Sequence, residues 1–223
     1  MKRLDNQFAI VAVDRSGVRK FNTRLYKWHK NNARQFPWRN SSDLYPLLIA
    51  EILLQKTNAD KVVSAYQELL RRYPSPESLS RAHRGTLKKI IRPLGLVGKV
   101  EILKSMSKQL AASKDTEPNL DKLLAMKGIG EYMARSVLIH SRGTRLSLLD
   151  PNFVRIYERV FGVRSNRSRP RCDKALWQKA YEFMPRANPS KYVYAMLDFG
   201  ALVCRASKPK CSDCPMSGDL CNG

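Results

Sequence analysis

Asp150, Glu51, a Gly-x-Gly pair and four cysteines are the residues of this sequence whose types and spacing could do chemistry. Asp150 precedes Pro151, a favourable first helical residue, so it falls where a helix N-cap falls. Bonds from helix N–H groups favour the ionised carboxyl, so the expectation is a side chain that stays anionic at neutral pH. A plain helix cap is the simpler alternative, and both roles can hold together. Glu51 has Leu47, Leu48 and Leu54 among its neighbours one turn away, with Gln55 the only polar one. A carboxyl in that setting is expected to titrate high and keep a proton to donate. Its alternative is a buried acid satisfied by local hydrogen bonds.

Gly128-Ile129-Gly130 lies between a short apolar helix (Leu120, Leu123, Leu124) and a second one with Met133, Val137 and Leu138 on one stripe. Two glycines so placed allow a turn with positive φ and close backbone approach. The turn leaves N–H groups free at the start of the second helix, where the dipole also favours an anion. The pattern reads as a helix–hairpin–helix over about 120–142, with Lys127, Gly128 and Gly130 gripping a phosphate diester without reading sequence. A lone glycine corner between helices would look the same. Asp150 follows twenty residues after Gly130.

Cys204, Cys211, Cys214 and Cys221 are separated by six, two and six residues. Four thiols this close read as a metal site rather than two disulfides in an intracellular chain. Zinc sites usually come as two Cys-x-x-Cys pairs, and only one is present; a four-iron cluster accepts a wider spread. Spacing alone leaves zinc and cluster both open. Cys172 stands apart and reads as an ordinary thiol.

The elements that must position these groups are helical throughout. Apolar residues at Phe21, Leu25 and Trp28 predict a first helix, broken by Gln35-Phe-Pro-Trp-Arg39. Tyr45–Thr57 is apolar nearly all round and so predicts a central helix. Further helices are expected around Val62–Leu70, after Ser75-Pro76, and over Leu87–Ile91, Val100–Leu110, Phe153–Phe161, Ala175–Phe183 and Tyr192–Val203. No strand alternation appears, so the fold class is all-α. The first fifteen residues carry little pattern. The short run Phe8–Val13 has no cleavage site after it and no segment is long enough to span a bilayer, so the expectation is an intracellular protein without membrane contact. Lys and Arg number 41 against 19 Asp and Glu, a net charge of +22 and a pI near 10.1. The excess is spread along the chain, which points to a polyanion as partner.

Hairpin, downstream aspartate and cysteine tail together resemble the endonuclease III superfamily of helix–hairpin–helix DNA glycosylases, over nearly the whole chain from Phe36-Pro-Trp-Arg39 to Cys221. Ala50-Glu51-Ile-Leu-Leu-Gln-Lys-Thr57 is similar to the branch holding the MutY adenine glycosylases and the Mig thymine/uracil mismatch glycosylases. Asp150-Pro-Asn-Phe-Val-Arg155, Lys174-Ala-Leu-Trp177 and Asp198-Phe-Gly-Ala-Leu-Val-Cys204 lean towards Mig. The resemblance implies a six-helix barrel domain (36–144) and a cluster domain from both chain ends (1–35 and 145–223), with the active cleft between them. It implies a [4Fe–4S] cluster on the four cysteines, although the family's last interval is usually five residues and here is six.

The same resemblance implies that Asp150 is the catalytic aspartate and Glu51 a catalytic base-pocket acid. Tyr132 stands where lyase members carry a lysine, so the enzyme is expected to stop at an abasic site, with Tyr132 against the flipped nucleotide. Gln55 matches the wedge that fills the vacated place in the duplex, and Lys56 beside it contacts the backbone or the orphaned base. The implied function is a monomeric, monofunctional glycosylase removing thymine or uracil opposite guanine from double-stranded DNA, in the cytoplasm at the nucleoid. An adenine glycosylase acting opposite guanine or 8-oxoguanine is the second reading. Those enzymes usually continue into a further domain, and this chain stops just after its cysteines. A non-catalytic DNA-binding protein is the third.

Overall fold

The structure is a computed structural model that describes residues 14–113 and 119–221. The apolar run Phe8–Val13 lies outside them. Along the described chain run α1 (Arg15–Asn32), α2 (Leu44–Leu53), α3 (Ala59–Arg72), α4 (Pro76–Arg81), α5 (Arg84–Ile91), α6 (Val100–Ala112), α7 (Leu120–Leu124), α8 (Glu131–Arg142), α9 (Pro151–Phe161), α10 (Lys174–Phe183) and α11 (Pro189–Leu202). Among the described residues the one strand-like pairing is an isolated bridge between Ser217 and Cys221, so the all-α expectation holds. None of the described helices is long and apolar enough to cross a membrane.

The chain divides into two compact units, Gln35–Leu146 and Met1–Arg34 with Ser147–Gly223. The first is built round α2. Leu47, Leu48, Ile49, Ala50, Ile52 and Leu53 are all buried, which is why the sequence there has no polar face. Each of the Leu and Ile side chains so removed from water contributes about 1.5–3 kcal/mol. Met133, Ala134, Val137 and Leu138 of α8 join the same core. Ser75 starts α4 with a capping box, accepting from Ser78 N–H while Ser78 Oγ accepts from the Ser75 N–H. Among the described residues this unit holds seven α-helices, α2 to α8, of which α4 and α7 are a turn or two each.

α2 stops at Leu53, earlier than the apolar run suggested. Gln55 and Lys56 therefore lie in the following turn, and Lys56 adopts a left-handed φ of 58°. That conformation is costly for a residue with a Cβ and tends to cluster at functional sites.

The second unit packs α1, α9, α10 and α11 through aromatic side chains. Phe161 stacks on Phe183 at 4.6 Å, and Tyr157 lies 4.5 Å from Phe183. The fully buried Asp198 of α11 meets His29 Nε2 at 3.0 Å and accepts the Arg34 N–H at 3.1 Å, tying α1 to α11. α1 begins at Arg15, capped by Asp14, several residues before its first buried apolar residue.

Candidate active site and nucleic-acid interface

The hairpin is made of backbone. Asn119 caps α7 by accepting the Lys122 N–H at 3.0 Å. Gly128 has φ +88°, and a Cβ there would stand 2.8 Å from Ile102 Cγ2, so conformation and space both demand glycine. Gly130 is different. Its φ is an ordinary −99°, and nothing lies within 4 Å of where a Cβ would be. It caps α8 without a side chain, so the first N–H groups of α8 receive no side-chain cap. The positive φ expected of this turn is supplied by Gly128, while Gly130 keeps the approach to the helix end open. Lys127 is exposed beside it.

Glu51 sits in the last turn of α2, half-buried, and its Oε1 accepts from Ser136 Oγ of α8 at 2.5 Å. Tyr132, in the first turn of α8, is half-buried and packs against the core of its unit. Gln55 is held from two sides: Lys99 Nζ donates to its Oε1, and its Nε2 donates to Met133 Sδ at 3.1 Å. Lys56 is exposed.

Asp150 caps α9 as its position before Pro151 suggested. Oδ1 accepts the Phe153 N–H at 2.8 Å, and Oδ2 accepts from Asn152 Nδ2 at 2.8 Å. The side chain keeps some exposure, yet the protein packed round it removes enough water to raise its pKa above the usual carboxylate value. Its hydrogen bonds and the nearby Arg155 charge act in the opposite direction and do not fully offset that burial. The cap alone therefore does not set the charge of Asp150; desolvation is the larger influence. Asn152 is itself fixed: Arg155 Nη2 donates to its Oδ1 at 2.7 Å, and Gly200 passes so close that a Cβ would lie 2.6 Å from Asn152 Cβ. Arg155 also donates to the carbonyls of Gly200 (2.9 Å) and Cys204 (2.7 Å), linking Asn152 to the start of the cysteine tail.

Cys204, Cys211, Cys214 and Cys221 line one cavity of about 210 Å³ with Arg159, Val203, Pro209 and Lys210. Burial, together with the neighbouring Cys204 and Cys221, raises the Cys214 thiol. Among the described residues no three ligand side chains close on a point as tightly as a single ion needs. Four thiolates round one cavity are a donor set of the kind that iron–sulfur clusters take. The long last interval is absorbed by a turn in which Gly218 has φ +90° and its N–H donates to the Cys221 carbonyl at 3.0 Å. Asp219 anchors that turn to Arg24 at 2.7 Å and to Lys20. Cys172 is exposed and apart from this group.

Sequence reasoning missed Ser136, Lys99, Asn152 and Arg155. Ser136 and Asn152 had a signal, a small polar residue on an apolar stripe and an amide inside the Asp-Pro-Asn run. Lys99 had none.

A family model described as HhH-GPD superfamily base excision DNA repair protein matches residues 49–181. The thymine/uracil-DNA glycosylase of Pyrobaculum aerophilum is 38% identical over 209 residues, 91% of this chain and 90% of that protein. The thymine-DNA glycosylase of Aeropyrum pernix is 36% identical over 216 residues, 94% and 96% of the two chains. A solved structure of a thermostable thymine-DNA glycosylase superposes with a TM-score of 0.85 at 30% identity, covering 93% of this chain and 96% of that one.

Proposed function

The chain belongs to the HhH-GPD superfamily of base excision DNA repair proteins, and on that footing we propose that it removes thymine or uracil mispaired with guanine, leaving an abasic site. The observation that carries the reading is Asp150: a partly accessible carboxylate held by an N–H and an amide at a helix N-terminus. Hydrolysis of an N-glycosidic bond passes through an oxocarbenium-like sugar, which a fixed anion stabilises. Burial strengthens that stabilisation and is also why the carboxyl titrates high.

The remaining roles follow from the chemistry. A base inside a duplex cannot be reached, so it is flipped out, and a G·T or G·U wobble costs less to open than a matched pair. Gln55 fills the gap, and Lys56 contacts the backbone or the orphaned base. Lys127, with the N–H groups at the start of α8 that the Gly128–Gly130 turn presents, holds a phosphate. Glu51 bonds to the departing pyrimidine or positions a water, because thymine and uracil have no N7 to protonate. Tyr132 lies against the flipped nucleotide and, having no amine, forms no Schiff base. Cys204, Cys211, Cys214 and Cys221 would hold a [4Fe–4S] cluster, which ties the tail together. The protein acts as a monomer on nucleoid DNA in the cytoplasm.

Single-turnover incubation with G·T, G·U, A·G and A·8-oxoguanine duplexes, followed by alkali, tests this reading. Thymine and uracil strands opposite guanine should break, and only after alkali. Breakage of adenine strands alone would establish the adenine reading in its place. Scission without alkali would show a lyase, and no scission at all would leave a DNA-binding protein.

A further inference from the structure

We propose that the loop joining α9 to α10 is a second phosphodiester site, which holds a separate segment of double-stranded DNA. The inference rests on the reading above, in which the first segment meets Asp150 at the start of α9. From Arg164 to Lys174 the chain carries Arg164, Arg167, Arg169, Arg171 and Lys174 against one carboxylate, Asp173. All five cations are exposed. Arg164 pairs with Glu158 at 3.0 Å, whereas among the described residues no carboxylate makes an ion pair with Arg167, Arg169 or Arg171. Asp173 is occupied otherwise: Oδ2 accepts from Ser165 Oγ at 2.7 Å, and Oδ1 accepts the Ala175 N–H at 3.0 Å.

The loop is fixed without help from its arginine side chains. Ser165 closes its base, accepting the Arg167 N–H at 3.1 Å while bonded to Asp173. A tight turn over Pro170–Cys172 follows, in which the Cys172 N–H donates to the Arg169 carbonyl at 2.8 Å. Trp177 Nε1 then pins the Arg171 carbonyl at 2.8 Å. Guanidiniums held together on such a frame repel one another, and a duplex carrying one charge per about 1.7 Å of its axis offsets that repulsion.

α9 has 11 residues, so the loop stands roughly 16 Å from the Asp150 end. Between the two ends the helix exposes Glu158, a carboxylate. Arg155 and Arg159 on the same helix are spent on main-chain carbonyls of Gly200, Cys204, Arg205 and Ala206. The basic track is therefore broken along α9, and the loop suits a second duplex rather than a longer grip on the first. A protein that holds two segments can pass from one to the next without falling free, which serves a search for rare mispairs.

The test follows dissociation of the whole protein from a short labelled undamaged duplex, chased with rising concentrations of the same duplex unlabelled. The rate should climb in proportion to the chase, because the second duplex binds before the first leaves. In Arg167→Gln/Arg169→Gln/Arg171→Gln that climb should flatten about tenfold, with the rate at low chase unchanged. The corresponding triple lysine variant, which keeps the charge, should retain the climb. The three side chains are exposed, so thermal melts should coincide; Arg167→Gln/Arg169→Gln serves as a milder second variant. A rate independent of chase in the unaltered protein, or an equal climb in the glutamine variants, would overturn the second site. So would faster release at low chase in those variants, which would place the loop on the first duplex. Excision of G·U is measured separately: its absence beside a chase-dependent rate would remove the glycosylase reading and keep the second site.

Discussion

Two helix N-termini in this chain are finished in opposite ways. At α8 the capping residue is Gly130, which offers no side chain and has open space over its Cα. At α9 the capping residue is Asp150, whose carboxylate takes the Phe153 N–H and an Asn152 amide for itself. Most helices of the chain resemble the second: α1, α3, α4, α7 and α10 are closed by Asp, Asn or Ser side chains. The same dipole thus serves two ends. Left open, it is available to a phosphate from outside; closed by an aspartate, it supports an anion that burial alone would disfavour.

The largest effect should come from Asp150→Asn, which keeps the shape of the cap and removes its charge. Excision in single turnover should fall by about 10³-fold or more, since charge stabilisation of this kind is usually a leading contribution. Next is Gly130→Asp, which gives α8 the finish of α9. There is room for the side chain, so the protein should fold and gain a few tenths of a kcal/mol in a thermal melt. Duplex affinity should fall about tenfold or more at low salt, alike for every sequence, because a phosphate would meet a carboxylate. Gly128→Ala tests the turn itself: a left-handed φ and a Cβ 2.8 Å from Ile102 should cost about 2 kcal/mol in chemical denaturation.

The smallest effect concerns pH. Because the Asp150 pKa is raised, excision should decline on acidification with a midpoint above the ordinary carboxylate range. Asn152→Ala removes a donor that favours the anion, so it should move that midpoint further up and make the variant fail earlier as pH falls. A pH–rate profile of the two proteins checks the direction.

Much of this was legible in the sequence because it rests on local rules. Caps such as Ser75 and Asp150, the all-apolar α2 and the four-cysteine tail each announce themselves within a few residues. Gly128 and Gly130 were recognised as a pair, but their different tasks depend on Ile102, which lies on another helix. Contacts across long separations left no trace: Glu51 with Ser136, Gln55 with Lys99, and Arg155 with Cys204 are partners that only the fold brings together. The charge of Asp150 was the instructive case. Its cap was readable from Pro151, whereas the burial that outweighs the cap comes from packing that no local pattern encodes.

The most direct test sets Asp150→Asn and Gly130→Asp side by side on one G·U duplex, measuring equilibrium binding and single-turnover excision at saturating protein. The expected result is a crossed pattern: Asp150→Asn binds as the unaltered protein does and barely excises, while Gly130→Asp binds weakly and excises at nearly the full rate once saturated. Loss of both properties in both variants, or excision by Asp150→Asn at the unaltered rate, would contradict the division of labour between the two helix ends.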